Sequence, residues 1–215
     1  MAALLHREYG EEAPCYGVPL QQANRFGQDL MRHVRGAGLP LAMAIADPLF
    51  LSGNIEEGIV ADVVVTAQAR HIGTSEFERF AAWVDCLTNA PNTDDVSAHM
   101  IARSLSGKPS LVATLARWAR TGGRWQRRAA VMAFTPLVRE GRFMTDALEV
   151  AHLLMEDEDA AVQAGVGTLL MEATRLKADR VVEFLIPWKG RSPDSIIRLA
   201  ATKLQPQQRV AVLGQ

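Results

Sequence analysis

Apolar residues recur every three to four positions along most of this 215-residue chain, the spacing of helices that each bury one face. Glycine, proline, asparagine and serine break that pattern into roughly twelve pieces, as punctuation between helices does. The pieces run from Pro19 to Arg35, Pro40 to Leu51, Ile55 to His71, Ser75 to Thr88, Asp94 to Leu105 and Ser110 to Thr121. They continue from Trp125 to Arg139, Thr145 to Glu156, Asp159 to Arg175, Ala178 to Trp188, Asp194 to Leu204 and Gln207 to Leu213. Thr74 ahead of SEFERF, Ser192-Pro193 ahead of DSIIRLA and Thr93 ahead of two aspartates read as helix starts with capping chemistry. Val63 to Val65 is β-branched, yet Ile59, Val63 and Ala67 hold helical spacing around it, so no strand is expected.

Sliding the chain along itself exposes a repeat. Arg128-Ala-Ala-Val, Gln163-Ala-Gly-Val and Arg198-Leu-Ala-Ala each lie 35 residues apart. Each places a polar residue before small and apolar ones, where two helices must approach closely. A helix pair repeating at that period predicts an all-α fold, an α-solenoid of HEAT-like or armadillo-type pairs around a concave groove. The expected organisation is one HEAT-like repeat domain over 1–215, with 1–15 a loosely ordered N-terminal segment. Arg128, Gln163 and Arg198 would then line the groove together, with Thr93 one period upstream.

Charge sharpens this picture. The whole chain carries a net charge of only -1, but Met100 to Arg142 holds nine basic residues against Glu140, a local net of +8. Within that band lies GRWQRRAAVMAFT, in which Arg124, Arg127 and Arg128 open an otherwise apolar helix. A basic stripe of this kind attracts polyanions. The opposing reading pairs these arginines with the acidic run Glu156 to Asp159, which also stands where the next helix begins. Gly165 and Gly167, inside a helix, indicate close packing or a gap in the groove wall.

Other chemistry is sparse. Cys15 and Cys86 are isolated, which suits a reducing compartment. The opening MAALLHREYGEEAP turns acidic too soon for a secretory signal, and Leu39 to Leu51 is too short to span a bilayer. The expected location is the cytoplasm. His6, His33, His71, His99 and His152 lack metal-binding spacing in sequence, and no phosphate-cradling glycine motif is present. Trp125 reads as core and Trp118 as half-buried.

Six segments carry a resemblance to a known family: YGVPLQQANRFGQDL, LFLSGNIEEGIVAD, FAAWVDCLTNAPNTDDVS, RWQRRAAVMAF, VQAGVGTLLMEA and IIRLAATKL. In order and spacing, from about Tyr16 to Leu204, they resemble the DNA alkylation repair family, alkylpurine-DNA glycosylases built from HEAT-like helix pairs. The resemblance implies hydrolysis of the glycosidic bond of a cationic alkylated base, without any cofactor. An oxocarbenium-like transition state would be stabilised by a carboxylate, and aromatic rings would hold the nucleotide.

Position by position, the chain departs from that pattern. Thr93 stands where the first tryptophan belongs, Ser97 where the catalytic carboxylate belongs, and Thr168 where the second tryptophan belongs. Met171 replaces an arginine, while Arg128 matches the family arginine and Asp94 the aspartate following the first tryptophan. A hydroxyl supplies neither the charge nor the π face.

The leading expectation is therefore a DNA-binding relative with base excision weak or absent. Its phosphate contacts would come from Arg128, Arg127, Arg124, Gln163 and Arg198, with no metal and no membrane partner. One alternative is an active glycosylase drawing on Asp94, about one turn before Ser97. Another is a protein–protein scaffold that no longer meets DNA.

Overall fold

The computed structural model describes residues 13–34 and 36–214. Their regular elements are all helices, with no strand among them. They gather into two compact units that divide between Lys108 and Pro109. The expected loose segment over 1–15 lies largely outside the described residues, as does His6. Its described end is anchored: Ala13 is buried, and the Pro14 carbonyl accepts a 3.0 Å hydrogen bond from the Ile55 amide.

The first unit contains α1 (Leu20–Val34), α2 (Gly38–Leu51), α3 (Ile55–Thr66), α4 (Phe77–Cys86) and α5 (Ala90–Asp95). A π-helical stretch, Val96–Ile101, carries α5 on into α6 (Ala102–Gly107). α3 is the central element, packed against α1, α2 and α5. Asn54 starts it, accepting from the Glu56 and Glu57 amides at 2.9 and 3.2 Å, a side-chain cap for otherwise unpaired donors. Glu56 is itself buried and holds the chain before α1 by accepting from the Tyr16 and Val18 amides at 3.1 and 2.9 Å. Phe50, Phe80 and Trp83 form the aromatic part of the core, Trp83 lying 4.6 Å from Phe50 and 5.3 Å from Phe80 between ring centroids. The Trp83 indole donates to Asp47 Oδ1 at 2.9 Å, so even this buried polar atom is satisfied.

One close approach sets α5 against α3. A Cβ added at Gly58 would sit 2.0 Å from Asn92 Nδ2, so only glycine admits the asparagine there. Asn92 Nδ2 then donates to the carbonyls of Asn54 and Ile55 at 3.2 and 3.3 Å. One turn further along α3 comes Asp62.

The second unit contains α7 (Val112–Thr121), α8 (Arg124–Met132), α9 (Thr135–Arg139), α10 (Met144–His152), α11 (Ala160–Leu185), α12 (Asp194–Ala200) and α13 (Pro206–Leu213). α11 is its spine, touching α8, α9, α10, α12 and α13. Lys177 breaks the helical geometry within it (φ -140, ψ 54), at the boundary expected between two pieces. A Cβ at Gly165 would meet Arg128 Cγ at 3.2 Å, and one at Gly167 would meet Leu199 Cβ at 2.8 Å. The glycines thus serve close packing rather than opening a gap.

The 35-residue offset is visible as physical contact. Arg124 with Asp159, Thr145 with Arg180 and Glu156 with Arg191 are polar pairs separated by that interval. Some local expectations need correction. Phe143, at φ 54, precedes α10, and the expected helix from Trp125 to Arg139 is divided at Ala133 and Phe134 into α8 and α9. Neither Thr74 nor Ser192 caps a helix: Glu76 and Pro193 occupy those cap positions without a side-chain hydrogen bond. Trp118 is more buried than expected, at 6% exposure, while Trp125 is half-buried rather than core.

Candidate functional site

The segment from Asn89 to Ile101 carries three of the family-site positions. Asn89, not Thr93, caps it, accepting from the Asn92 amide at 2.9 Å, with Pro91 in the first turn. Thr93 and both aspartates therefore fall beyond the first turn, and the expected capping role of Thr93 is corrected. Thr93 and Ser97 lie four residues apart, on one side of the helix, and both are fully buried. Each hydroxyl donates back to its own helix: Thr93 Oγ1 to the Asn89 carbonyl at 2.7 Å, and Ser97 Oγ to the Thr93 carbonyl at 2.5 Å.

The opposite side is acidic. Asp94 and Asp95 are half-buried. Asp95 and His99 stand one turn apart and meet Asp62 of α3, whose Oδ1 lies 2.9 Å from His99 Nδ1. Burial pushes the Asp95 carboxyl up to about 7; the charges of Asp62 and Asp94 add to the rise and His99 opposes it. The hydrogen bond with Asp62 holds His99 above its ordinary value, against the cost of its burial, with Asp95 adding to the effect and Arg103 opposing it. This is a proton-holding cluster, and sequence reasoning missed it. The Asp95–His99 spacing was visible, but Asp62 arrives from another helix.

In the second unit, the arginines of α8 meet the acidic run before α11. Arg124 Nε donates to Asp159 Oδ2 at 2.5 Å, and Arg127 grips Asp157 through two nitrogens, at 2.7 and 3.3 Å. Asp159 also caps α11, accepting from the Ala161 and Val162 amides at 2.9 and 3.3 Å. Its burial acts to raise the carboxyl's pKa, but the hydrogen bonds from Arg124 and the two amides outweigh this and hold it below its ordinary value. Arg128 is buried across Gly165, and its Nη1 donates to the Ala161 carbonyl. Gln163 Nε2 donates to the Asp157 carbonyl at 2.9 Å, and its Oε1 accepts from Ser195 Oγ at 2.5 Å.

The structure therefore brings Arg124, Arg127, Arg128 and Gln163 together at the N-terminal end of α11. Arg198 is more exposed, with a 3.5 Å contact to Asp194, and Thr168 is half-buried within α11. Both readings of the Glu156–Asp159 run hold at once, since Asp159 is a cap and an ion-pair partner. Further along α11, Glu172 is 3% exposed and takes three cations: Arg139 at 2.7 Å, Arg175 at 2.8 Å and Lys203 at 2.8 Å.

Among the described residues the fold is all-helical, with arginines and carboxylates of neighbouring helices paired across a 35-residue offset. A sequence profile described as DNA alkylation repair enzyme matches residues 1–204. The chain belongs to that family. The solved structure of a predicted DNA alkylation repair enzyme from Enterococcus faecalis has the same fold, with a TM-score of 0.78 at 14% identity, covering 96% of this chain and 93% of that one. No curated protein sequence matches the chain significantly. Among the described residues, no helix is long and apolar enough to cross a membrane.

Proposed function

We propose that this chain is a DNA-binding member of the family whose base-excision activity is weak or absent. The observation that carries the reading is the state of Thr93 and Ser97. Both are buried with their hydroxyls committed to main-chain carbonyls, so neither position offers a ring or a charge to a nucleotide. In this reading 1–215 forms one HEAT-like repeat domain, acting in the cytoplasm.

DNA phosphates would be held by Arg128, Arg127, Arg124, Gln163 and Arg198. Because Asp157 and Asp159 already occupy Arg127 and Arg124, a phosphate must displace a carboxylate from each. Binding is then modest and falls steeply with salt. Contacts of this kind are to backbone, so no sequence preference is expected.

A second reading, an active glycosylase drawing on Asp94, is favoured by one observation: Asp94 is half-buried and lies beside the raised carboxyl of Asp95. One experiment separates the readings. Purified protein meets duplex DNA carrying 7-methylguanine or 3-methyladenine, and salt-dependent binding and free-base release are both measured. Binding that weakens in Arg128→Ala, without release, supports the main reading. Release above the spontaneous rate, lost in Asp94→Asn, replaces it with the enzyme. Neither binding nor release points to a protein scaffold.

A further inference from the structure

We propose that Asp62, Asp95 and His99 form a binding site for a divalent transition-metal ion of the zinc class. The three residues each present one donor atom, and these atoms all lie within 4.8 Å of one another. His99 Nδ1 and Asp62 Oδ1 are 2.9 Å apart. Adjacent ligands of one tetrahedral ion sit about 3.3 Å apart when the bonds are about 2.0–2.1 Å. Small side-chain rotations would therefore close the set around an ion.

The donor chemistry selects the ion. Two carboxylates supply charge, and one imidazole nitrogen disfavours the hard, oxygen-seeking magnesium and calcium. Three protein ligands leave a coordination position for water or an anionic oxygen, as in open rather than structural sites. The surroundings fit as well. Asp62 is 14% exposed and His99 is 47% exposed at the side chain, so the acid is seated while the imidazole opens to solvent. Asp95 is half-buried, and its carboxylate lies near Asp62, His99 and Asp94. His99 is the neighbouring group that can carry positive charge toward both carboxylates, and a bound ion would displace its proton and take over that charge.

The backbone contributes too. Between Asp95 and His99 the chain is wound as a π-helix over Val96–Ile101, which at more residues per turn brings positions four apart closer to one line than an α-helix does. Such bulges concentrate at functional sites. On the other helix, the Gly58–Asn92 contact fixes the approach of α3, so Asp62 reaches the pair without a loop to order. The site stands apart from the DNA-binding proposal and does not depend on it.

The test uses the full chain with Zn²⁺ in isothermal titration calorimetry, and with Co²⁺ read by its visible d–d absorption, at about pH 8 to lessen proton competition for the ligands. The expected result is a single site whose Co²⁺ spectrum reports nitrogen and oxygen ligation. His99→Gln and Asp95→Asn should each weaken it by at least about tenfold, while Glu158→Gln, in the other acidic cluster, leaves it unchanged. Circular dichroism verifies that each variant is folded, and Asp62→Asn replaces any that is not. Absence of saturable binding by the wild type below about 1 mM, an affinity of millimolar class, overturns the proposal. Binding that survives His99→Gln at full strength overturns it equally, because the ion then sits elsewhere.

Discussion

Replacing Glu172 with glutamine should destabilise the second unit by about 2–3 kcal/mol near neutral pH. The carboxylate is almost fully buried and is the common partner of Arg139, Arg175 and Lys203, all within 2.8 Å. Glutamine keeps the shape but removes the charge, leaving three cations around a neutral amide. Breaking a fully buried pair costs about 3–5 kcal/mol. Here the three cationic side chains are 52%, 55% and 35% exposed, so water recovers part of the loss and the lower figure applies. At roughly 2–4 °C per kcal/mol this lowers the melting temperature by about 4–12 °C. The effect has a pH signature. Burial acts to raise the Glu172 carboxyl's pKa, but the bonds from Arg139 and Lys203 outweigh it and hold the carboxyl below its ordinary 4.5. A depressed acid contributes stability that is complete above its unfolded value and lost as pH falls through its folded value. The gap between wild type and Glu172→Gln should therefore be full at neutrality and shrink below pH 4.5. Urea unfolding of both proteins across that range measures it. A neutral-pH gap below about 0.5 kcal/mol, the size of an ordinary surface change, would refute the reasoning, as would a gap that persists unchanged into acid.

Gly58→Ala places a methyl group 2.0 Å from Asn92 Nδ2, so thermal melts should show a loss of about 1–3 kcal/mol from overpacking. The double variant Asp157→Asn with Asp159→Asn frees Arg127 and Arg124 while preserving an asparagine cap on α11, and filter binding at low salt should show tighter retention of duplex DNA with a steeper salt slope. Ser97→Asp, the substitution that rewrites the family acid, inserts a charge at a fully buried position; it should cost at least about 2 kcal/mol in denaturant melts and yield no base release from methylated DNA.

Much of the helical layout was legible because helix formation and breakage are local. The break near Lys177, the packing glycines Gly165 and Gly167, and the acidic start of α11 were all readable in order along the chain. The misplaced cap at Asn89 shows where local reading fails. Thr93 followed by two aspartates is as good a helix start as Asn-Ala-Pro-Asn, and only the close seat of Asn92 on Gly58 favours the earlier one. The arginines of α8 posed a similar choice between solvent, phosphate and carboxylate. Which acid each one meets depends on how α8 lies against the start of α11, and that is set by packing around Gly165.

The amino-acid sequence by itself determined an all-helical chain, its 35-residue offset and its family, since each depends on periodicities within a few turns or on the order of motifs. Tertiary structure alone decided that Thr93 and Ser97 face inward, that Glu172 gathers three cations, and that Asp62 joins Asp95 and His99. Those outcomes join residues about 30 to 40 positions apart, and such meetings follow from interhelical approach, which small residues at a few crossing points control.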